Sequence, residues 1–158
     1  MKSLGGVVLA LMLAFCSGSL RAEPITAAEI TVVDGDTIDA RGQRYRMIGY
    51  DTPEVATPRR KVGSDERAVA LLAKERLAEL LHSGALDLAE VPCSCSKSAL
   101  SKGTCNHGRK CAILSLDGKN VGATLISEEL AVPYVCSATR CPPMPNWQRI
   151  LEQQMKAH

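Results

Sequence analysis

The stretch TVVDGDTIDARGQRYRMIGYDTPE, residues 31–54, holds five carboxylates and three arginines among apolar and β-branched residues. Alternating or β-branched segments at residues 28–33, 37–40 and 43–50 predict strands, and the Asp-Gly and Arg-Gly pairs between them predict tight turns. The stretch therefore predicts a three-stranded antiparallel meander. Acids lie at its first turn and at its C-terminal end, so any chemistry of this region is expected there.

The rest of the chain reads as short strands and helices. Ser64 is a candidate N-cap for a helix that Gly84 ends, with apolar residues at helical spacing between them. Five short strands with a helix after the third are typical of an OB-type barrel, so we predict an α+β fold with a five-stranded OB-type β-barrel and about three α-helices. The remaining predicted elements are strands at residues 85–91 and 111–116 and helices at residues 121–130 and 147–156.

Residues 1–22 have the pattern of a signal peptide. Lys2 is followed by the apolar run LGGVVLALMLAF and then by small residues up to the cleavage point. This run is shorter than the roughly 20 apolar residues of a membrane span, and the bulky Phe15 disfavours a lipoprotein modification of Cys16. We therefore predict a mature domain at residues 23–158 that is secreted or periplasmic, with no stable membrane association after cleavage.

Net charge gives little indication of a partner. The chain has 19 Lys and Arg against 17 Asp and Glu, and the leader carries two basic residues and no acid. The mature domain is therefore formally neutral, and bulk charge does not support non-specific nucleic-acid binding. Phosphate recognition would have to be local; the basic segment PRRK, residues 58–61, is typical of a solvated loop.

Six cysteines follow the leader, and an even number in a small exported domain indicates disulfides. A zinc site with His107 and nearby cysteines as ligands is the competing interpretation, although the Cys-x-Cys spacing is poor for a zinc ribbon. The short polar loop CSATRC makes a Cys136–Cys141 bridge the easiest to propose, and the other four cysteines would pair among themselves. The disulfide candidates are Cys93, Cys95, Cys105, Cys111, Cys136 and Cys141.

The acids of residues 31–54 have the chemistry of a divalent metal site. Hard cations such as Ca²⁺ bind carboxylates and backbone carbonyls, and Asp36 and Asp51 stand at strand ends that can meet at one rim of a meander. Nearby arginines would neutralise charge on a phosphate under attack, and Glu54 could orient or deprotonate a water. The alternative is structural, with DGD as a hairpin turn and DTPE as a turn in which Pro53 fixes the backbone.

The chain resembles the staphylococcal-nuclease-like (thermonuclease) family in an ordered set of motifs. These are VVDGDT at residues 32–37, Arg46 five residues before DTPE at residues 51–54, and GRKCAILSLDGKNVGATLISEELA at residues 108–131. Each motif alone has low specificity, whereas the set covers nearly all of the mature chain in the family's order. The resemblance supports an OB-type barrel and implies a calcium-dependent nuclease with endo- and exonucleolytic cleavage.

Position by position, the resemblance implies a metal site. Asp36 and Asp51 match the metal-binding carboxylates, Thr52 matches the residue that gives its backbone carbonyl to calcium, and Asp34 matches an acid at the periphery of the metal site. Calcium is therefore the expected divalent cofactor.

The resemblance also implies the catalytic and substrate-binding residues. Glu54 matches the general base, and Arg46 and Arg109 match two arginines that grip the scissile phosphate. His107 stands where the family archetype has a tyrosine, and Tyr134 keeps one of its tyrosines, so both are candidates for base stacking. Because stacking contributes about 1–3 kcal/mol per base, these departures imply a weaker or altered nucleotide preference.

We therefore expect an exported, monomeric, metal-dependent nuclease that hydrolyses phosphodiester bonds of DNA and/or RNA. A non-catalytic OB-type binding module is the main alternative, and a cysteine-rich metal or redox protein is a third. A pure binder has no need for the whole set of acids and arginines, and all five are present in this sequence: Asp36, Arg46, Asp51, Glu54 and Arg109.

Overall fold

The computed structural model describes residues 22–57, 61–137 and 140–157. The predicted leader, apart from its last residue, and most of the segment at residues 58–61 lie outside this range. Among the described residues, no helix is both long and apolar enough to cross a membrane.

The strands are β1 (Glu23–Ile25), β2 (Ile30–Asp34), β3 (Thr37–Ala40), β4 (Gln43–Met47), β5 (Gly49–Asp51), β6 (Leu86–Val91), β7 (Lys110–Leu116), β8 (Lys119–Asn120) and β9 (Val132–Tyr134). The helices are α1 (Ser64–Leu80), α2 (Lys97–Ser101), α3 (Val121–Ser127) and α4 (Trp147–Ala157).

The predicted meander is one half of the main sheet. Strands β2, β3 and β4 pair antiparallel in sequence order, as the alternation in this part of the sequence predicts. Strand β4 then pairs parallel with β7, which gives the order β1-β6-β7-β4-β3-β2, and β8 pairs with β7 outside this path. The sheet curls into a half-barrel, and together with the helices it makes a mixed α+β fold.

The strand predicted at residues 43–50 is interrupted at Ile48. Ile48 lies between β4 and β5, and its N–H donates to the Ala112 carbonyl at 3.0 Å. Gly49 follows with a φ of 96°, which glycine adopts at little cost. The chain then forms β5, which pairs with β9 in a separate two-stranded sheet. The described residues thus contain more strands than the five predicted, and the additional ones, of two or three residues, are too short for a period-of-two pattern to reveal.

Helix α1 packs on the curled sheet and completes the core. Its buried residues Leu77 and Leu80 join Ile38, Met47 and Leu114 from three strands in one cluster of buried side chains. Each large aliphatic side chain stabilises the fold by about 1.5–3 kcal/mol through burial. The core is therefore mainly aliphatic.

The start of α1 differs by one residue from the prediction. Gly63 is the N-cap, with extended backbone and no side-chain capping bond, and Ser64 is the first helical residue. The Ser64 hydroxyl instead donates to the Asp65 carboxylate at 3.1 Å. The sequence favoured Ser64 because serine is the better capping side chain.

The number of helices exceeds the predicted three because α2 has only five residues. The Ser96 hydroxyl caps it by accepting the Ala99 N–H at 3.2 Å. The helix predicted at residues 121–130 ends early, at Ser127, where Glu128 is the C-cap. The helix predicted at residues 147–156 is present as α4.

All six described cysteines form disulfides. Cys136 pairs with Cys141, as predicted, and the other four pair among themselves as Cys93–Cys111 and Cys95–Cys105. The structure therefore contains no free thiolate for the alternative zinc site in its described residues. Three disulfides in a small domain are typical of an oxidising, extracellular or periplasmic environment.

Candidate active site

Two buried carboxylates from different strands converge on one arginine. Asp36 lies in the β2–β3 turn and Asp51 ends β5, with 5% and 1% of their surfaces exposed. Arg46 on β4 bridges them, because its Nη1 contacts Asp36 Oδ1 and its Nη2 donates to Asp51 Oδ1 at 2.6 Å. The register explains this position, since Arg46 lies opposite Thr37, next to Asp36. Losing the arginine would leave two buried charges uncompensated.

Asp36 is fixed by hydrogen bonds from its neighbours. Thr52 donates its backbone N–H and its hydroxyl to Asp36 Oδ2, at 3.0 and 3.2 Å. The Thr37 hydroxyl donates to Asp36 Oδ1 at 3.1 Å, and the Asp36 N–H donates to Asp34 at 3.1 Å. The residues predicted to bind a metal, Asp36, Asp51 and Thr52, are therefore directly adjacent, with Asp34 beside them.

Asp51 has a second partner that sequence reasoning missed. Trp147 Nε1 donates to Asp51 Oδ2 at 2.9 Å, although the two residues are 96 positions apart. Trp147 is 2% exposed, so it anchors α4 in the core, and its hydrogen bond also fixes the site. No local pattern links the two residues, because only the fold brings α4 to the end of β5.

Arg109 reaches the same site from the start of β7. Its Nη1 donates to the Thr37 hydroxyl at 3.3 Å, which connects Arg109 to Asp36 through one side chain. Asn106 accepts from Arg109 twice, through its backbone carbonyl at 3.2 Å and its Oδ1 at 3.0 Å. Burial and the nearby Arg46 lower the pKa of Arg109 below its usual range. Asn106 was not predicted as a site residue, because an isolated asparagine in a loop carries no signal.

The loop before Arg109 holds a left-handed backbone. Asn106 and His107 have φ values of 49° and 57° and Gly108 has 79°. Such angles are uncommon outside glycine, and they turn the chain so that Arg109, directly before β7, reaches the Thr37 hydroxyl. His107 lies exposed on the cleft side of this turn.

Glu54 lies half-buried on the edge of the site. Burial raises its pKa, and repulsion from Asp34 and Asp51 raises it further. Its backbone N–H donates to the buried Glu66 on α1 at 3.3 Å. Among the described residues no hydrogen bond to the Glu54 carboxylate is found, and Glu54 lines the cleft.

These side chains lie around one cleft of about 730 Å³. The charged predicted residues at its surface are Asp34, Asp36, Arg46, Glu54 and Arg109, and both stacking candidates, His107 and Tyr134, line it too. Asp51 and Thr52 are buried next to Arg46 and Asp36. Five of the six cysteines also line the cleft, so two disulfides and one half of the third form part of its wall.

The donor chemistry at this site fits a hard divalent cation. Four carboxylates, those of Asp34, Asp36, Asp51 and Glu54, lie beside the guanidinium groups of Arg46 and Arg109 in the described part of the chain. Burial raises the pKa of Asp34 and of Asp51 against the opposing effect of Arg46. Within the described residues, no three Asp, Glu, His or Cys side chains are grouped closely enough to hold an ion alone. An ion here would therefore need backbone, water or substrate oxygens as well.

No protein-family model matches the chain, and no curated protein matches it significantly.

Proposed function

We propose that the chain is a metal-dependent nuclease of the staphylococcal-nuclease-like type, built on a five-stranded OB-type barrel, which hydrolyses phosphodiester bonds of DNA and/or RNA. The observation that carries the proposal is the convergence of Asp36, Arg46 and Asp51 beside Arg109 and Glu54 in one cleft. Carboxylates alone would suit many cation sites. Two partly buried arginines beside them suit an anionic, phosphate-bearing substrate.

Asp36 and Asp51, with the Thr52 carbonyl, are the residues that would hold the ion, and Asp34 would add negative charge at the periphery. Calcium is the expected ion because all the donors are hard oxygens. When bound, a divalent cation supplies positive charge that polarises a phosphoryl oxygen and neutralises the charge that develops on it. Hydrogen bonds from Thr52 and Trp147 keep both aspartates in place for this role.

Glu54 is the proposed general base. Its carboxylate accepts a proton from a water as the water oxygen forms a bond to phosphorus, while the ester P–O bond on the opposite side breaks and the departing oxygen takes up a proton from solvent. Its position in the cleft and its raised pKa suit this proton transfer.

Arg46 and Arg109 are the proposed phosphate ligands. Both are partly buried, and both donate in fixed geometry, so they would stabilise charge on the phosphate in the transition state without reorganising. The desolvation of Arg109 strengthens this interaction, because a guanidinium excluded from water gains more from a phosphate partner.

Export and a monomeric state complete the proposal. The predicted leader and the three disulfides both support a secreted or periplasmic protein.

The test is digestion of single-stranded DNA, duplex DNA and RNA by the purified, oxidised protein with Ca²⁺, with Mg²⁺ and with a chelator. We expect cleavage with at least one ion and none with the chelator. Binding of nucleic acid without cleavage under all conditions would instead support a non-catalytic binding module. Cleavage that continues in chelator would contradict the metal site.

A further inference from the structure

A third arginine, Arg44, lies on the same face of β4 as Arg46. Successive side chains of a strand point to opposite faces, so residues two apart share a face and are separated by about 7 Å. Arg44 lines the cleft together with Arg46, whereas Tyr45 between them packs against the core. The cleft therefore extends along β4 beyond the residues assigned to hydrolysis.

Arg109 lies close to both arginines of β4. In the parallel pairing of β4 with β7, Tyr45 is opposite Lys110, so continuing the register by one residue brings Arg109 towards Arg44. The positive charges of Arg46 and Arg44 both contribute to the lowered pKa of Arg109. All three arginines thus line the same cleft.

Arg44 differs from the other two in its environment. It is 52% exposed, and Asp39 on β3 accepts from its Nε and Nη2 at 2.7 Å each. Exposed ion pairs of this kind stabilise the folded state by only about 0–1 kcal/mol, so a phosphate can replace the aspartate as the partner of Arg44 with little loss of stability. The Arg44 Nη1 has no partner among the described residues, which leaves a donor available even while the pair is intact.

We propose that Arg44 is a second phosphate subsite, which binds the phosphodiester next to the one that is hydrolysed. The inference rests on the proposed nuclease function and specifies its substrate as a polynucleotide strand rather than an isolated nucleotide ester. Adjacent phosphates in an extended strand have a spacing comparable with that of alternate residues of β4. Arg44 is a positioning residue, since it would hold the strand without contacting the reacting phosphorus.

The test compares a dinucleotide, which has one phosphodiester, with trinucleotides extended at the 5′ or the 3′ end. We expect kcat/KM of the wild-type protein to rise for one extension, mainly through KM. Arg44→Ala should abolish that gain, a loss of about three- to tenfold on the longer substrate, and should change the dinucleotide rate by much less. The dependence of log kcat/KM on log salt should also become shallower by about 0.7, the value for one phosphate contact on a single strand.

Arg41→Ala is the matched control. Arg41 is similarly exposed and similarly paired with acids, Glu29 and Glu23, but it does not line the cleft. The Arg41→Ala variant should keep the higher kcat/KM on the longer substrate and the wild-type dependence of log kcat/KM on log salt. Asp39→Asn should give the opposite result to Arg44→Ala, a lower KM on the longer substrate, because Arg44 loses its competing acid.

The outcomes separate this inference from the proposed function. If the wild-type protein cleaves both lengths and Arg44→Ala keeps the gain, the second subsite is refuted while the nuclease assignment stands. A wild-type protein that cleaves no oligonucleotide with any metal would refute the nuclease proposal itself. Circular-dichroism melting curves of each variant would check that the fold is intact.

Discussion

Trp147 and Asp51 join the last helix to the site through a 2.9 Å hydrogen bond from Nε1 to Oδ2. Trp147 is the single tryptophan of the chain, so its fluorescence reports on the environment of this carboxylate. We predict that titration with Ca²⁺ changes this fluorescence in a saturable way, because an ion at Asp51 alters the field at the indole. KCl of equal ionic strength should produce no saturable change. Metal-dependent cleavage without any fluorescence response would show that the ion binds elsewhere.

Glu54→Gln should separate catalysis from binding. The amide keeps the size of the side chain but cannot accept a proton from water, and general acid–base assistance is worth roughly 10²–10⁴-fold. We expect kcat to fall on that scale with little change in KM. Glu75→Gln, at an exposed position on α1, is a matched control and should behave as the wild type. An unchanged kcat for Glu54→Gln would exclude Glu54 as the base.

Gly122→Ala should destabilise the site through Tyr50. A Cβ at Gly122 would clash with the ring of Tyr50, whose hydroxyl donates to the Gly35 carbonyl in the turn before Asp36. The buried ring has no free space, so overpacking should cost about 1–3 kcal/mol. Urea denaturation would measure the loss. Ala123→Ser, at the next and exposed position of α3, should change stability little.

The three disulfides should differ in their contribution to stability. The Cys93–Cys111 bridge closes a loop with a sequence separation of 18, and Cys136–Cys141 one of 5. In the chain-entropy model, the bridge that closes the longer loop raises the free energy of unfolding by about 1 kcal/mol more than the other bridge. Paired Cys→Ser variants of each bridge, compared by denaturant midpoint, would test this order. Mass spectrometry of the oxidised protein should first show six hydrogens fewer than the reduced chain.

Glu29 should make stability depend on pH in the acid range. Hydrogen bonds from Thr26 and then Arg41 lower the pKa of Glu29 from 4.5 to about 2. Because the pKa is lower in the folded state, the stabilisation is complete above pH 4.5 and disappears as the pH falls to about 2. The difference in Tm between the wild type and Glu29→Gln should therefore narrow over that interval. A difference that stays constant from pH 6 to pH 2 would contradict the assignment.

The sequence predicted the local parts of this structure better than its long-range contacts. The meander and the long helix follow from periodicity, and the Cys136–Cys141 bridge follows from a short loop. The break at Ile48, which makes residues 49–51 a separate strand, and the strand at residues 132–134 could not be predicted, because three residues define no period. In the site, the acids and arginines carried a motif signal, whereas Asn106 and Trp147 act through contacts that only the folded chain creates.

The parallel pairing of β4 with β7 has a consequence for the order of folding. The hairpins of β2, β3 and β4 need only short loops to close, and they already contain Asp36 and Arg46. Arg109 reaches them only when β7 pairs with β4, and α1 and β6 lie between these two strands in the chain. Such non-local contacts have a larger entropic cost of loop closure, so they form slowly. The part of the cleft that contains Asp36 and Arg46 is therefore expected to form early, and Arg109 joins it in a late step.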